Sequence, residues 1–339
     1  MSKWHSQFTK EYGLELPFAG AGMGFFALPD LVVAVSEAGG LGVLGAAPEP
    51  APRIQEMIRA IKARTTRPFG VDFIITDTIF GPATTEEHID LCVAERVPVV
   101  IFFWSLPPAA WVDKLKRAGS KVWMQIGSLA EAREAAAAGM DAIIVQGTEA
   151  GGHNRSGGSL FSLLPVVVDA VAPIPVLAAG GIADGRGVAA ALTLGAQAVW
   201  VGTRLVASRE AYAHPEHKRR LVTSGPQDTV RTSIFGPEWP DAPLRVLRNR
   251  VVQEWARCDD RTPPQPEPPQ IIGETRIAGQ PYPMPKFSAI LPTPDTIGDL
   301  DEMCLPTGEG VGLIRKIQPA AEIVHEMMEE ARKLIGKSR

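Results

Sequence analysis

The fold is decided by residues 175–204, which read PVLAAGGIADGRGVAAALTLGAQAVWVGTR. The apolar run at 175–178 is typical of a buried parallel strand. Asp184 is suited to cap the N-terminus of a helix, and Gly195 is typical of a helix end. A second apolar run, 198–201, follows directly. The stretch therefore predicts a strand, a helix and a second strand parallel to the first.

Both of these strands end in turns that leave the backbone bare. The turns consist of Ala179, Gly180, Gly181, Gly202 and Thr203. Backbone N–H groups without bulky side chains, beside a helix N-terminus, are a common way to bind a phosphate. In a barrel of eight βα units such a site lies after the last two strands. The pair of turns predicts a phosphate site, whereas either turn alone indicates only a glycine-capped loop.

The alternation of apolar strands and helices runs through residues 1–207. The predicted strands cover 16–21, 41–44, 69–75, 99–103, 121–125, 142–146, 175–178 and 198–201, and the helix after the sixth is short, at 165–171. Such alternation predicts a parallel sheet, and eight units favour its closure. We therefore expect a (β/α)8 TIM barrel with a C-terminal helical and extended excursion over the barrel.

The chain beyond residue 207 has a different pattern. Residues 208–312 are expected to form a mostly helical and proline-rich insertion, with one apolar helix face made of Leu244, Leu247, Val251 and Trp255. The run PPQPEPP at 263–269 excludes helix and strand interiors, and the extended part over 258–312 is suited to a lid or an oligomer contact. Residues 313–339 are expected to hold a last helix that packs back on the barrel, with its inward residues Ile323, Met327, Ala331 and Leu334.

The composition excludes several classes of function. The chain has 339 residues and a net charge of −4, without a charged block at either end, which argues against a nucleic-acid partner. No apolar run reaches the ~18–20 residues of a membrane helix, and the polar start is unlike a signal peptide. Cys92, Cys258 and Cys304 are far apart and form no metal or disulfide pattern, so we expect a cytoplasmic protein.

The loop after the sixth predicted strand carries the main candidate for catalysis. It covers 146–155 and contains His153 after two glycines. Histidine exchanges a proton near neutral pH, although a loop histidine can also simply bond the backbone. Gln125 and Gln146 end two strands and are suited either to hydrogen-bond a heterocycle or to lie on the surface. Asp72, inside an apolar strand, needs a donor from a ligand or from the backbone.

Two further patterns are weaker. The loop at 20–24, GAGMG, is not a dinucleotide motif, because Phe25 stands where G-x-G-x-x-G requires glycine. We expect it to be a tight loop against a flat ring. His214 and His217 are three residues apart but lack further ligands nearby, so a solvated helix start is expected rather than a metal site.

Taken together, these motifs resemble a known family. The pieces are LPFAGAGMG, AVSEAGGLGVLG, FGVDF, KVWMQIGS, VQGTEAGGHN, PVLAAGGIADGRG and GAQAVWVGTRL. Over residues 16–207, and more loosely over 208–335, the chain resembles the nitronate monooxygenases, which are FMN-dependent TIM barrels. The resemblance implies an enzyme whose catalytic residue is His153.

The resemblance also implies which residues bind FMN. They are, in chain order, Gly22, Met23, Gly24, Asp72, Gln125, Gln146, Gly151, Ala179, Gly180, Gly181, Gly202 and Thr203. The last five would hold the phosphate, and the others would contact or line the flavin. Asp72 departs from the family, which usually has asparagine there. Its charge is expected to make the flavin less ready to become anionic.

The implied reaction is the oxidation of alkyl nitronates, or of the parent nitroalkanes, by O2 to a carbonyl compound and nitrite, through an anionic flavosemiquinone. His153 would abstract the α-proton of a neutral nitroalkane, or would stabilise a bound nitronate as a protonated imidazole. The implied partners are this small-molecule substrate and O2, with no nucleic acid and no membrane. A homodimer is an open alternative to a monomer.

Three other functions were weighed against this one. A flavin-dependent, NAD(P)H-using enoyl-acyl carrier protein reductase is similar over the same motifs. A barrel of the inosine-monophosphate dehydrogenase type is excluded, because it needs a cysteine in the loop at 147–162 and this loop has none. A non-catalytic barrel that binds a phosphorylated ligand is the third. Anaerobic bleaching of the flavin by NADH or NADPH separates the reductase from the monooxygenase.

Overall fold

The apolar runs of the first 201 residues form the strands of one barrel. The computed structural model describes residues 4, 6–47, 49–255, 263, 267–277 and 279–336. The barrel strands are β1 (Phe18–Gly20), β2 (Gly42–Gly45), β3 (Phe69–Ile75), β4 (Val99–Trp104), β5 (Lys121–Ile126), β6 (Ala142–Gln146), β7 (Val176–Ala179) and β8 (Ala198–Val201). The helices of this part are α1 (Gln7–Glu11), α2 (Pro29–Glu37), α3 (Ala51–Lys62), α4 (Glu86–Ala94), α5 (Ala109–Arg117), α6 (Leu129–Ala137), α7 (Leu160–Val171) and α8 (Gly185–Thr193).

The eight strands are parallel and follow one another around the sheet in chain order. Their order is β1-β8-β7-β6-β5-β4-β3-β2. The two end strands meet at a parallel bridge between Ala19 and Leu41, where the N–H of Gly20 donates to the carbonyl of Leu41 at 2.9 Å. This closure leaves no free sheet edge and confirms the predicted (β/α)8 barrel.

The amino end of the barrel is closed by the first helix. Phe8 and Tyr12, on or next to α1, pack against the buried Trp123 of β5, with ring centroids 5.9 and 5.0 Å from that indole. Ser6 caps α1 by accepting from the N–H of Thr9 at 3.1 Å. Because side chains fill this end, a ligand can enter the barrel only from the carboxyl ends of the strands.

The last helix completes the outer ring. Helix α12 (Ala320–Gly336) packs against α8 and α2, in the place of the helix that would follow β8. Ile323, Met327 and Ala331 are buried there, as predicted. Leu334 is 38% exposed, so its predicted inward position is wrong. It lies in the last turn of α12, beyond the apolar stripe that the barrel covers.

The segment between β8 and α12 is mixed rather than mostly helical, which corrects the prediction for 208–312. Its elements are α9 (Thr203–Val206), α10 (Pro215–Thr223), β9 (Thr229–Thr232), β10 (Leu244–Leu247), α11 (Arg250–Trp255), β11 (Ile271–Ile277) and β12 (Gln280–Pro285). Leu244 and Leu247 were predicted on one helix face with Val251, but they lie in a strand paired antiparallel with β9. Residues three apart share one face of a helix but lie on opposite faces of a strand. Both leucines are nevertheless buried, because they pack into two different apolar clusters on the two sides of β10.

Helix α7 begins earlier than predicted. It starts at Leu160, five residues before the predicted start at Pro165. The carboxylate of Glu149 accepts from the N–H of Leu160 at 3.0 Å and so satisfies a free amide of the first turn. This capping group lies eleven residues back along the chain, so no local signal marks the helix start.

Several predictions fall partly outside the described residues. Cys258 and residues 264–266 of the proline-rich run lie there, as do residues 1–3 and 337–339. The other two cysteines, Cys92 and Cys304, are buried free thiols. None of the helices in the described ranges has the length and apolarity needed to span a membrane.

Candidate active site

A cavity of about 680 Å³ opens at the carboxyl ends of the barrel strands, and the segment after β8 covers part of it. All the residues predicted to form the site line this cavity. They are Gly22, Met23, Gly24, Asp72, Gln125, Gln146, Gly151, His153, Ala179, Gly180, Gly181, Gly202 and Thr203. The structure therefore brings together side chains and turns from six different strands of the barrel and the loops that follow them.

The turns after β7 and β8 expose backbone donors. Gly180 and Gly181 have φ angles of +112° and +68°, a region that L side chains rarely adopt. Within the described residues, their N–H groups and that of Thr203 donate to no protein acceptor. These amides are thus available to an anion such as a phosphate.

The N-terminus of α8 is not part of this donor set, contrary to the sequence-based expectation. Asp184 caps it as predicted, accepting from the N–H of Arg186 at 3.0 Å and of Gly187 at 3.3 Å. The N–H of Gly185 donates to a carboxylate oxygen of Glu330 on α12 at 2.7 Å. Because protein carboxylates occupy these donors, any phosphate is left to the turns themselves.

Sequence reasoning missed a third wall of this pocket, which comes from the segment after β8. The N–H of Gly308 donates to the hydroxyl of Thr203 at 3.0 Å. A Cβ on Gly308 would lie 2.7 Å from the carbonyl oxygen of Glu149, and one on Gly310 would lie 3.0 Å from that of Gly181. Both glycines are needed for this close backbone approach, but no barrel motif points to them.

The opposite wall is a tight contact between the GAGMG loop and β3. A Cβ on Gly22 would lie 2.2 Å from the Cβ of Asp72, and one on Gly24 would lie 2.5 Å from the carbonyl oxygen of Ala47. Only glycine allows the loop to pass this close to its neighbours. The flat backbone surface that results is suited to a planar ring.

Among the buried polar atoms of the cavity lining that lack a protein partner in the described residues, two lie on residues predicted to bind the cofactor. They are Oδ1 of Asp72 and Oε1 of Gln146. Asp72 as a whole residue is 8% exposed, and Gln146 is 4% exposed. Gln125 is buried beside them. Buried polar atoms normally have a hydrogen-bond partner. A heterocyclic ring with donors and acceptors at its edge, such as a flavin, could supply the missing hydrogen-bond partners.

Asp72 lies in an environment that favours its neutral form. Burial raises the pKa of its carboxyl well above the usual value, and the N–H of Phe73 opposes this only in part. A protonated carboxyl has one donor and one acceptor face, as the amide of asparagine has. The negative charge expected at Asp72 is therefore not favoured here, and the departure from asparagine is chemically small.

Replacing Asp72 by Asn is expected to raise the melting temperature of the cofactor-free protein by a few degrees at pH 9. The pKa of Asp72 is higher in the folded than in the unfolded chain, so its stabilising contribution is complete below pH 3.8 and is lost as the pH rises through the folded pKa. The difference from D72N should therefore shrink towards pH 5, in thermal melts over this range. Asp113→Asn, at an exposed position of α5, is the control. The same pH dependence in both variants would mean that folded Asp72 is already charged.

His153 is held in place by the segment after β8. The short strand Gly152–His153 pairs antiparallel with β10, with His153 opposite Leu244. Nδ1 of His153 lies 3.1 Å from the carbonyl oxygen of Ala242, to which it donates as Nδ1–H. Within the described residues, Nε2 has no hydrogen-bond partner, so its lone pair is free. Gln146 fixes the backbone of this histidine, because its Nε2 donates to the carbonyl of His153 at 3.0 Å.

The imidazole is neutral in this setting. Burial lowers the pKa of His153 to about 4, and the contact with Ala242 opposes this only in part. A neutral imidazole with a free Nε2 can accept a proton. The alternative role predicted from the sequence, a protonated imidazole that stabilises an anion, is disfavoured by the same burial.

Two tryptophans next to His153 were not predicted. Trp239 packs against its imidazole in a tilted arrangement, with ring centroids 4.1 Å apart, and the ring centroid of Trp104 lies 4.4 Å from that of Trp239. Trp104 ends β4 with a φ of +86°, an unusual conformation for a large side chain. Its place at a strand end is a signal that sequence reasoning could have used, as for Gln125. Trp239 belongs to the segment between β8 and α12, residues 202–319, which we call the covering segment. No such rule exists for this segment.

The pair His214 and His217 is not a solvated helix start as a whole. His214 does cap α10, where its Nδ1 accepts from the N–H of Glu216 at 3.1 Å. His217 is fully buried, with Nε2 3.3 Å from the hydroxyl of Thr307, which corrects the prediction. The described residues contain no cluster of side chains that could hold a metal ion.

Comparisons with known proteins agree with this geometry. A family model described as nitronate monooxygenase matches residues 5–330. The chain is 40% identical over 248 residues, 73% of this chain and 67% of that protein, to a Mycobacterium tuberculosis protein named (3aS,4S,5R,7aS)-5-hydroxy-7a-methyl-1-oxo-octahydro-1H-indene-4-carboxyl-CoA dehydrogenase.

Two solved structures are similar over almost the whole chain. FabK from Thermotoga maritima has a TM-score of 0.79 and 31% identity, covering 99% of this chain and 98% of that one. Nitroalkane oxidase from Streptomyces ansochromogenes has a TM-score of 0.80 and 28% identity, covering 98% of this chain and 100% of that one.

The closed barrel and the cavity at its carboxyl end define a TIM-barrel enzyme, an oxidoreductase that acts on a small molecule. More narrowly, the chain belongs to the nitronate monooxygenase family, whose model matches it over nearly its whole length. This confirms the family resemblance drawn from the sequence motifs. The family is one of flavoenzymes.

Proposed function

We propose that the protein binds FMN in this cavity and oxidises nitroalkanes and their nitronates with O2 to a carbonyl compound and nitrite. The observation that carries the proposal is His153, a neutral imidazole with a free Nε2 beside glycine turns and unpartnered ring-binding atoms. The match to the family model and the similarity to nitroalkane oxidase support it.

In this proposal, FMN is held at two places. The free amides of Gly180, Gly181 and Thr203 bind the phosphate, with Ala179 and Gly202 in the same turns. The remaining lining residues predicted for the cofactor face its ring, and they are Gly22, Met23, Gly24, Asp72, Gln125, Gln146 and Gly151. When bound, the flavin supplies the redox chemistry, since it accepts electrons from the substrate and passes them to O2.

The protein's own part is the handling of one proton. Nε2 of His153 takes the proton from the carbon that carries the nitro group, which converts the neutral nitroalkane to the nitronate. The carbonyl oxygen of Ala242, 3.1 Å from Nδ1, then stabilises the imidazolium because it accepts the hydrogen bond from Nδ1–H. Trp104 and Trp239 keep water from this side of the imidazole.

A second candidate is an oxidoreductase that acts on an acyl thioester, of the flavin-dependent enoyl-acyl carrier protein reductase type predicted as the alternative. The specific observation in its favour is the size and apolarity of the cavity, which leaves room for more than a small nitroalkane. The similarity to FabK, and to a relative named as a carboxyl-CoA dehydrogenase, also favours it.

Two assays on the purified, flavin-loaded protein distinguish the two candidates. The proposed function requires nitrite release from nitroethane and 1-nitrobutane in air, and no prompt anaerobic bleaching of the flavin by NADH or NADPH. Prompt bleaching without nitrite release would establish the reductase type instead. A protein that purifies without flavin, or whose flavin nothing reduces, would point to the non-catalytic barrel. The homodimer, the cytoplasmic location and the domain boundaries stay predictions.

A further inference from the structure

The described lining of the cavity contains no lysine or arginine side chain. Four of the described lining residues are acidic, namely Glu49, Asp72, Glu149 and Glu238. Two basic side chains of the covering segment are paired with carboxylates, Arg245 with Glu309 at 3.0 Å and Lys286 with Glu302 at 2.9 Å. A substrate carboxylate that enters here therefore meets no lysine or arginine on the described lining of the cavity.

The two histidines that line the cavity do not supply a positive charge either. Burial lowers the pKa of His153 to about 4, and it lowers the pKa of His88 as well. Nδ1 of His88 accepts from the N–H of Thr85 at 2.9 Å, which belongs to the cap of α4. Both imidazoles are neutral at physiological pH.

The acidic side chains of the cavity offer an anionic substrate no favourable contact. Some already accept hydrogen bonds from the backbone. Glu149 accepts from Leu160 at the start of α7, and Glu238 accepts from the N–H of Ala289 at 3.0 Å. Oε2 of Glu49 is buried without a partner among the described residues, and burial raises the pKa of this carboxyl. On the described lining, free amides are found in the turns after β7 and β8, and in the proposed function these bind the cofactor phosphate.

The outer part of the cavity is apolar. The covering segment contributes Ile277, Tyr282, Ile290 and Leu291 to this lining. Phe80 comes from a short hairpin after β3, in which Asp77–Thr78 pairs with Gly81–Pro82. The tip of this hairpin leaves Ile79 and Phe80 63% and 68% exposed. The hairpin is fastened to the covering segment, because the N–H of Ile79 donates to the carbonyl of Glu238 at 3.1 Å. An exposed apolar tip at a cavity mouth is typical of a binding surface.

We propose that this cavity selects substrates with a large apolar body and rejects substrates whose tail carries a carboxylate. This inference rests on the proposed function, since it names the substrate class of the same site. A carboxylate loses its water on entry and gains no cation in return, so its binding is strongly unfavourable. An apolar chain gains about fourfold in affinity for each methylene group that it buries.

A matched pair of substrates tests the charge. 1-Nitrobutane and 3-nitropropionate are similar in length, but only the second carries a carboxylate. We expect kcat/KM for nitrite release to be at least a hundredfold higher for 1-nitrobutane, and at least tenfold higher again for 1-nitrooctane. Equal or better turnover of 3-nitropropionate would overturn the inference while leaving the proposed function intact.

Affinities for the nitro compounds, measured without O2 from the change in flavin absorbance, distinguish a failure of the proposed function from a failure of the inference. If no nitro compound releases nitrite but 1-nitrobutane binds at least tenfold more tightly than 3-nitropropionate, the proposed function fails and the inference holds. If the two bind equally, the inference fails whatever the turnover.

A cation placed at the mouth tests the same idea from the protein side. Phe80→Lys should lower the preference for 1-nitrobutane over 3-nitropropionate by at least tenfold. Phe161→Lys is the matched control, because Phe161 is 71% exposed on α7 and does not line the cavity. It should leave the preference unchanged. An unchanged preference in F80K, or the same change in both variants, would contradict the inference.

Discussion

His153→Asn is expected to keep its FMN and to lose turnover of neutral nitroalkanes by about 10²–10⁴-fold, the usual contribution of a positioned general base. The cofactor contacts are assigned to glycine turns and to amide and carboxyl side chains, and these are unchanged in this variant. Asparagine has a similar size but no basic nitrogen, so it cannot take the α-proton. The measurement is nitrite release from nitroethane in air, with flavin content read from the absorbance.

The preformed nitronate provides the decisive comparison for H153N. It has already lost the α-proton, so its turnover should fall much less than that of the nitroalkane. His325→Asn is the control substitution, because His325 lies on α12 and bonds the carbonyl of Ala38 at 3.1 Å, outside the cavity. It should behave as the wild type. An equal loss on both substrates in H153N would show that His153 is not the base.

Gly180→Ala is expected to weaken FMN binding by at least tenfold. The added Cβ would lie 3.1 Å from the backbone nitrogen of Ala150 at a φ of +112°, so the turn after β7 must shift. A shift removes a hydrogen bond from an amide to the charged phosphate, which is worth about 1.5–3 kcal/mol. FMN affinity, measured by the quenching of flavin fluorescence on titration of the cofactor-free protein, checks this.

Gly119→Ala separates cofactor loss from backbone strain. Gly119 also has a positive φ, of +89°, but it follows α5 at the amino end of the barrel, with open space around its Cβ position. This variant should be destabilised by about 1–2 kcal/mol and should bind FMN as the wild type does. If G180A retains normal FMN affinity, the assignment of the phosphate to this turn is wrong.

The strands, the ring helices and the two turns after β7 and β8 could be predicted because their signals are local. Apolar runs define strands such as Phe69–Ile75 and Ala142–Gln146, whose predicted bounds agree with the structure. Side chains that end parallel strands must meet at one end of the barrel. Gln125, Gln146 and the glycine turns therefore fall on one cavity, as the alternation alone implied.

The covering segment could not be predicted in the same way. The contact of His153 with Ala242 joins residues 89 apart, and that of Gly308 with Thr203 joins residues 105 apart. Leu244 has a spacing that suits a helix, but its pairing with Thr232 on one side and His153 on the other makes it part of a strand. Such contacts depend on how the segment packs over the barrel, and no periodicity within it records that packing.

The sequence by itself determined the barrel, the place of the site and the residue types in it, because strand alternation and glycine turns act over a few neighbouring residues. The tertiary structure alone decided their chemical state. Burial makes His153 neutral and favours the neutral form of Asp72, and the packed segment that supplies Ala242 and Trp239 adds no lysine or arginine to the described lining of the cavity. The reason is that desolvation and long-range contacts depend on everything packed around a residue, which its neighbours in the chain do not specify.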